Sequence, residues 1–260
     1  VLMDNEAAPM GDRSLCINPL MQAVIVDALK GLFQSSQAIS SQYEKGKMGT
    51  VIGNEWYMDQ NVRRHTSGAL GGTPLMNGAT VDGATSLVTD GWTHNVTNIL
   101  LRGDIVSVAS VNQVNPQNRQ STGVARYFVV TANCSSDNSG NVTIPVNPCS
   151  GNYTIQSTGQ YQNVDALPAD NAAITVFSAA STGSAQGLLF ASDAFTFASA
   201  DLDVPGGVDM GKRVSDKQLG MSIRAIRDYD INLDRWPLRL DLLGGWATIY
   251  PELAVRIAGA

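Results

Sequence analysis

The chain has 260 residues and a mass of 27.6 kDa, with 43% hydrophobic residues and a mean hydropathy of -0.04, so it can bury a sizeable core and does not have the composition of a disordered tail. A net charge of -6 argues against a general nucleic-acid binder, three cysteines are too few for a disulfide-built scaffold, and no apolar run reaches the roughly 18–20 residues of a membrane helix. With two histidines and 15% charged residues, the inventory suits a protein that builds something better than one that converts something.

The first residues, Val1 to Glu6, lack the basic region of a signal peptide. Ser14-Leu15-Cys16-Ile17 is a short apolar run, and Asn18-Pro19 then offers an N-cap with proline at the first helical position. Leu20, Met21, Val24, Ile25, Ala28, Leu29 and Leu32 recur at helical spacing and predict a wide apolar face. Ser35 or Ser36 can cap a second short helix through Tyr43, ended by Gly46. Beyond it the pattern turns irregular, punctuated by Gly68, Gly71, Gly72, Gly78 and Gly83.

Residues 96–178 differ in composition. They contain seven charged residues (Arg102, Asp104, Arg119, Arg126, Asp137, Asp165 and Asp170) and neither lysine nor glutamate, which marks them off as a separate small β domain. Ile105–Val111, Ala125–Thr131, Val142–Val146 and Ala172–Phe177 read as strands, with Asp137-Asn138-Ser139-Gly140 as a turn. In the C-terminal part, Tyr229, Ile231 and Leu233 alternate with acidic residues and Asn232, Leu238, Leu240 and Leu242 with Arg239 and Asp241, and Leu253, Val255 and Ile257 follow Pro251 in the same way. A period of two predicts half-buried strands, with Gly244-Gly245 as a hairpin turn and Leu240 and Trp246 in the core. The class is α+β, with domain segments 1–95, 96–178 (the insertion) and 179–260.

No motif carries chemistry. Asp228-x-Asp230-x-Asn232-x-Asp234 imitates a calcium loop, but its sixth and twelfth positions hold Leu233 and Arg239 instead of glycine and glutamate. Arg102-Gly103-Asp104 is ordinary turn chemistry ahead of a strand. The sequons at Asn95, Asn133, Asn141 and Asn152 follow from an Asn/Ser/Thr-rich composition. Centring a hairpin on the Asp137 turn sets Cys134 opposite residue 143 or 144 rather than Cys149, so free thiols are expected. His65 and His94 stand alone, and Arg63-Arg64 suits a surface or subunit contact. A hydrolase would need one of these histidines beside an acid and a nucleophile. A carbohydrate-binding or adhesin-like module would need platforms among Tyr127, Phe128, Tyr153, Tyr161 and Phe177.

Three ordered stretches carry a resemblance. The first runs from Cys16-Ile17-Asn18-Pro19 through Asp27-Ala28-Leu29-Lys30-Gly31-Leu32-Phe33 to Gln42-Tyr43-Glu44-Lys45-Gly46. The second is Glu55-Trp56-Tyr57-Met58-Asp59-Gln60-Asn61-Val62 with His65-Thr66-Ser67-Gly68, and the third Asp228-Tyr229-Asp230-Ile231 with Arg239-Leu240-Asp241-Leu242-Leu243-Gly244-Gly245-Trp246 and Pro251-Glu252-Leu253-Ala254. Together with Gly103-Asp104-Ile105-Val106 and Phe128-Val129-Val130-Thr131, the chain resembles the major capsid (coat) proteins of tailed bacteriophages, in the short-tailed subgroup that carries an extra β domain. The resemblance implies a fragment of the phage capsid (Johnson-type) fold with an inserted β-barrel-like domain, lacking the N-terminal arm, extended loop and spine helix of a longer parent. It implies a homo-oligomeric shell subunit of the virion, made in the bacterial cytoplasm, that encloses DNA without reading its sequence and works with scaffolding and portal proteins. It implies no catalytic residue, cofactor, metal or membrane.

Overall fold

Asn18 accepts the Met21 N–H on its Oδ1 at 2.7 Å, so the expected cap forms and opens helix α1 (Pro19–Leu29). The structure, a computed structural model, describes residues 3, 8–9, 11–29, 50–51, 53–148 and 154–259. The helix expected between Ser35 and Tyr43 lies outside them. The chain divides into two units, one of residues 1–194 with 250–260 and the other of residues 195–249. That division falls elsewhere than the break in composition.

Unit 1 begins with β1 (Arg13–Ile17), β2 (Thr50–Val51), β3 (Asn54–Met58) and β4 (Arg64–Thr66). Six strands follow: β5 (Gly72–Met76), β6 (Ser86–Trp92), β7 (Ile105–Val114), β8 (Ser121–Val130), β9 (Val142–Pro148) and β10 (Ile174–Val176). Next comes β11 (Gly183–Ala191). Unit 2 holds β12 (Phe195–Ala200), β13 (Met210–Asp216), β14 (Met221–Arg227), β15 (Leu238–Asp241) and β16 (Leu243–Thr248), and β17 (Ala254–Gly259) returns to unit 1. The expected class is α+β; the described residues are mostly strand, with α1 beside them. The stretch read as irregular supplies β2 to β6, several of them too short to display a period of two.

The first sheet runs β17-β11-β1-β3-β2, with β4 also paired to β11. Leu15 and Ile17 of β1 bury with Met21 of α1 and Ala185 of β11, and Ile25, Trp56, Leu189 and Ile257 pack around them. Leu20 and Val24 stay exposed, so the apolar face expected of α1 narrows to the side of Met21 and Ile25. Leu253 and Val255 pack on a neighbouring cluster around Met3 and Ala191, in keeping with the alternation read there.

The second sheet runs β10-β7-β8-β9-β6-β5. Its ends meet, because Met76 N–H donates to Ala172 O at 2.9 Å and Asn171 N–H to Met76 O at 3.0 Å beside a Leu75–Ala173 bridge. The sheet therefore closes into a six-stranded antiparallel barrel, which leaves no open edge. Leu87, Leu100, Val106, Phe128, Ile144 and Ile155 fill it. The four strands expected between residues 105 and 177 fall on β7, β8, β9 and β10. Cys134 forms a β-bridge with Leu100 instead of a residue near 143, its thiol is free and buried as expected, and Cys149 lies outside the described residues.

Carboxylates pin the barrel's loops. Burial pushes Asp165 upward, but the Asn112 N–H at 2.7 Å, the Ser121 hydroxyl at 2.7 Å and the Asn112 amide at 2.9 Å outweigh it and hold it below the usual range. Asp82 is held low by the Thr158 hydroxyl and the Ser157 N–H, and Asp137 by the Asn141 side chain and backbone.

Unit 2 departs most from the sequence reading. Residues 228–237 form a turn rather than a strand, because Asn232 N–H folds back onto Asp230 Oδ1 at 3.0 Å and Asp234 takes a positive φ of 46°. Asx-type bonding overrides the alternation, and Ile231 is left 81% exposed. Gly244 and Gly245 lie inside β16, which pairs with β12. A Cβ on Gly244 would come within 2.7 Å of the Phe197 ring, so this glycine makes room for an aromatic neighbour instead of turning the chain. Leu240 and Trp246, expected in the core, are 67% and 82% exposed. The Trp246 ring lies 4.5 Å, between centroids, from that of Phe197.

Two stability measurements follow. Phe128→Ala should cost about 3–5 kcal/mol in urea unfolding, and Trp246→Ala about 1 kcal/mol or less, since one empties a packed core and the other removes an exposed ring. Asp82, Asp137 and Asp165 have folded pKa values below their unfolded ones. Their stabilisation is therefore present above the unfolded carboxylate pKa of about 3.9 and lost as pH falls through the folded values. Urea midpoints followed from neutral pH down through about pH 4 should fall on the acid side, and Asp165→Asn should flatten that fall.

Candidate functional site

The polar groups of unit 1 converge where the barrel joins the first sheet. Asp104, just before β7, has no side-chain exposure, and Gly68 N–H and Leu101 N–H both donate to its Oδ2, at 3.0 Å and 2.8 Å. Its Oδ1 lies 2.7 Å from Nε2 of His65 on β4. A buried carboxylate is tolerated only with its oxygens occupied in this way. Beside it Gly103 takes a φ of +98°, and its carbonyl accepts a bond from the Arg256 guanidinium of β17. A Cβ there would stand 3.4 Å from both His65 Nδ1 and Arg256 Nη1. Glycine is needed for conformation and for room.

The chain enters and leaves the barrel through this joint. Thr66 of β4 pairs with Gly183 of β11, so the two crossings run side by side. Ser67 N–H donates to Thr182 O at 3.1 Å, Thr182 N–H donates to Ser67 Oγ at 3.1 Å, and Ser181 N–H donates to Gly68 O at 2.8 Å. The Ser67 hydroxyl in turn donates to Ala179 O. A Cβ on Gly68 would lie 2.3 Å from Ile99 O, so any larger residue would push the entering strand off the barrel. Next to the joint is a cleft of about 200 Å³, walled by Tyr127, Val129 and Phe177 on the barrel side and Ala254 and Arg256 on β17.

His65, read as isolated, is thus a partner of Asp104, 39 residues away in sequence. Around the pair the described polar groups are engaged. Nε2 is taken by the acid, Nδ1 faces Gly103 and Arg256, and the nearby Ser67 hydroxyl is committed to backbone. His94 is exposed beside Gly140. Arg63 and Arg64 are both exposed, in keeping with a place at the surface, and Arg64 donates to Gly183 O at 3.2 Å. Asp104 of the Arg-Gly-Asp triplet is buried. No group of three or more His, Cys, Asp or Glu able to hold a metal occurs among the described residues. Of the aromatic platforms considered, Phe128 is core and Tyr127 meets Phe177 edge-on at 82°, while Tyr161 is exposed alone and Tyr153 lies outside the described residues. Among the described residues no helix is long and apolar enough to cross a membrane.

What these residues assemble is a mechanical joint between β sheets, the equipment of a structural protein. Residues 1–259 match the family model for P22 coat protein, gene protein 5, and the chain belongs to that family. It is a short-tailed-phage coat protein, a structural subunit of the capsid. A solved structure, the CUS-3 coat protein I-domain, is 27% identical, covering 44% of this chain and 96% of that chain, with a TM-score of 0.24. No curated protein matches the chain.

Asp104→Ala should cost about 3–5 kcal/mol in urea unfolding, because three donors lose their acceptor in a buried place. Asp104→Asn should cost about 1.5 kcal/mol or less, since an amide can keep its oxygen on the two N–H groups and turn its NH2 toward the His65 ring nitrogen. Equal losses in the two variants would show that charge, not acceptor geometry, is what the joint requires.

Proposed function

We propose that this subunit builds a closed icosahedral head in which copies pack as pentamers and hexamers around DNA, with scaffolding and portal proteins as assembly partners, and that it carries out no catalysis. The match to the coat family along residues 1–259 carries the reading. The joint supports it, since a shell subunit must hold its parts at fixed angles while every contact in a closed lattice is made at once. An acidic chain can still enclose a genome if the face turned toward the DNA is locally less negative than the whole.

We also infer that residues from about 68 to 178 are an inserted module set into the turn between β4 and β11. The support is that β5 and β6 pair within the barrel and that the entering and leaving strands lie against each other at Ser67 and Thr182.

Light scattering and electron microscopy test the shell reading. Five- and six-membered rings or closed shells are expected of the chain. Strict monomers at every concentration and ionic strength would overturn it. The module is tested by expressing residues 68–178 and 96–178 separately. The longer piece should give dispersed amide resonances and the shorter, without β5 and β6, should not.

A further inference from the structure

The three-stranded sheet of unit 2 is turned inside out. Register sets Val214 opposite Ile223, Ala225 opposite Leu240 and Arg227 opposite Leu238, so these side chains share one face across β13, β14 and β15. On that face Val214, Ile223, Leu238 and Leu240 are 71%, 47%, 58% and 67% exposed. The opposite face carries Arg213, Ser222, Arg224, Arg239 and Asp241 together with Ile226, and along β14 it is the more covered of the two. Ser222 is buried, and Arg224 bonds Asp241 at 2.6 Å with both side chains under one-fifth exposed. Arg224 and Arg239 hold the Asp241 carboxyl below its usual range. Val204 lies over Gly211 on the same polar side, where a Cβ would come within 2.3 Å of it. With its charged side committed to internal bonds, the sheet cannot hide its leucines by turning over.

We propose that this apolar face of β13–β15 is a contact surface for a second copy of the chain. The inference rests on the shell-subunit reading, which requires copies to meet. Area argues the same way. Monomers rarely expose contiguous apolar patches beyond a few hundred Å², and a stable contact takes about 800 Å² from each partner. Four exposed aliphatic side chains on one sheet, with Trp236 and Leu242 half-exposed at the two ends of β15, go well toward that share. The charges on the face do not suit a nucleic acid. Lys212, Arg227 and Asp216 lie there, and Arg227 is already bonded to Asp209 at 2.9 Å. An apolar face with so little free charge fits its own like across a two-fold axis, where residue i meets j and j meets i.

Sedimentation equilibrium on the full chain tests this with wild type, Leu240→Lys, and Val81→Lys as a control, Val81 being 70% exposed on the barrel unit. Wild type should associate reversibly, Leu240→Lys should weaken association by roughly tenfold or more, and the control should not change it. All three should keep one circular dichroism spectrum. If Leu240→Lys alters it, Val214→Lys on the same face decides instead. Association indifferent to the substitution, or a wild type monomeric throughout, overturns the proposal. Rings or shells that tolerate the substitution would keep the shell reading and remove this face. A Leu240-dependent dimer with no higher assembly would keep the face and remove the shell reading.

Discussion

A single buried carboxylate holds the larger unit in register. Asp104 gathers an imidazole and a backbone donor from residues 65 and 68 and a second backbone donor from Leu101 in its own turn, which ties the first strand of the barrel's longest pair to the strand that leads into it. Burying that charge is unfavourable by itself and becomes tolerable only when all three partners are present together. The angle between barrel and sheet is therefore set by an all-or-none arrangement. Gly68 and Gly103 belong to the same constraint, because each stands where a side chain would displace the backbone that brings a partner in.

Barrel and joint share out different duties. Closure of the six strands removes exposed edges, and the loop carboxylates hold the connections, so the barrel satisfies its own backbone without help from neighbours. Unit 2 is built the opposite way. Its polar side is satisfied internally and its apolar side faces out, which is unfavourable for a lone chain and useful in a subunit that meets others.

Local chemistry made part of this legible in the sequence. The Asn18-Pro19 cap and the barrel strands between 105 and 177 could be read because capping and β-branched runs act over a few residues. The coat-family resemblance could be read because its motifs keep their order. The joint could not, since His65 and Asp104 look unrelated until strand pairing brings them together. Alternation locates β15 but gives no sign of which face is covered, so Leu240 reads as a core residue and is not one. At 228–234 alternation misled outright, because Asp230 and Asn232 could bond the local backbone more cheaply than a strand could be formed.

The pairing of β4 with β11 also sets an order of folding. Ser67 and Thr182 are hydrogen-bonded at a sequence separation of 115, a costly loop to close if the intervening chain were coil. A barrel already formed brings its two ends together in advance, and the hairpin then closes as if its loop were short. The high contact order of β4–β11 is thus reduced to a local event by prior folding of what lies between. A slow step inside the barrel would delay the first sheet as well, even though few of the barrel's residues touch it.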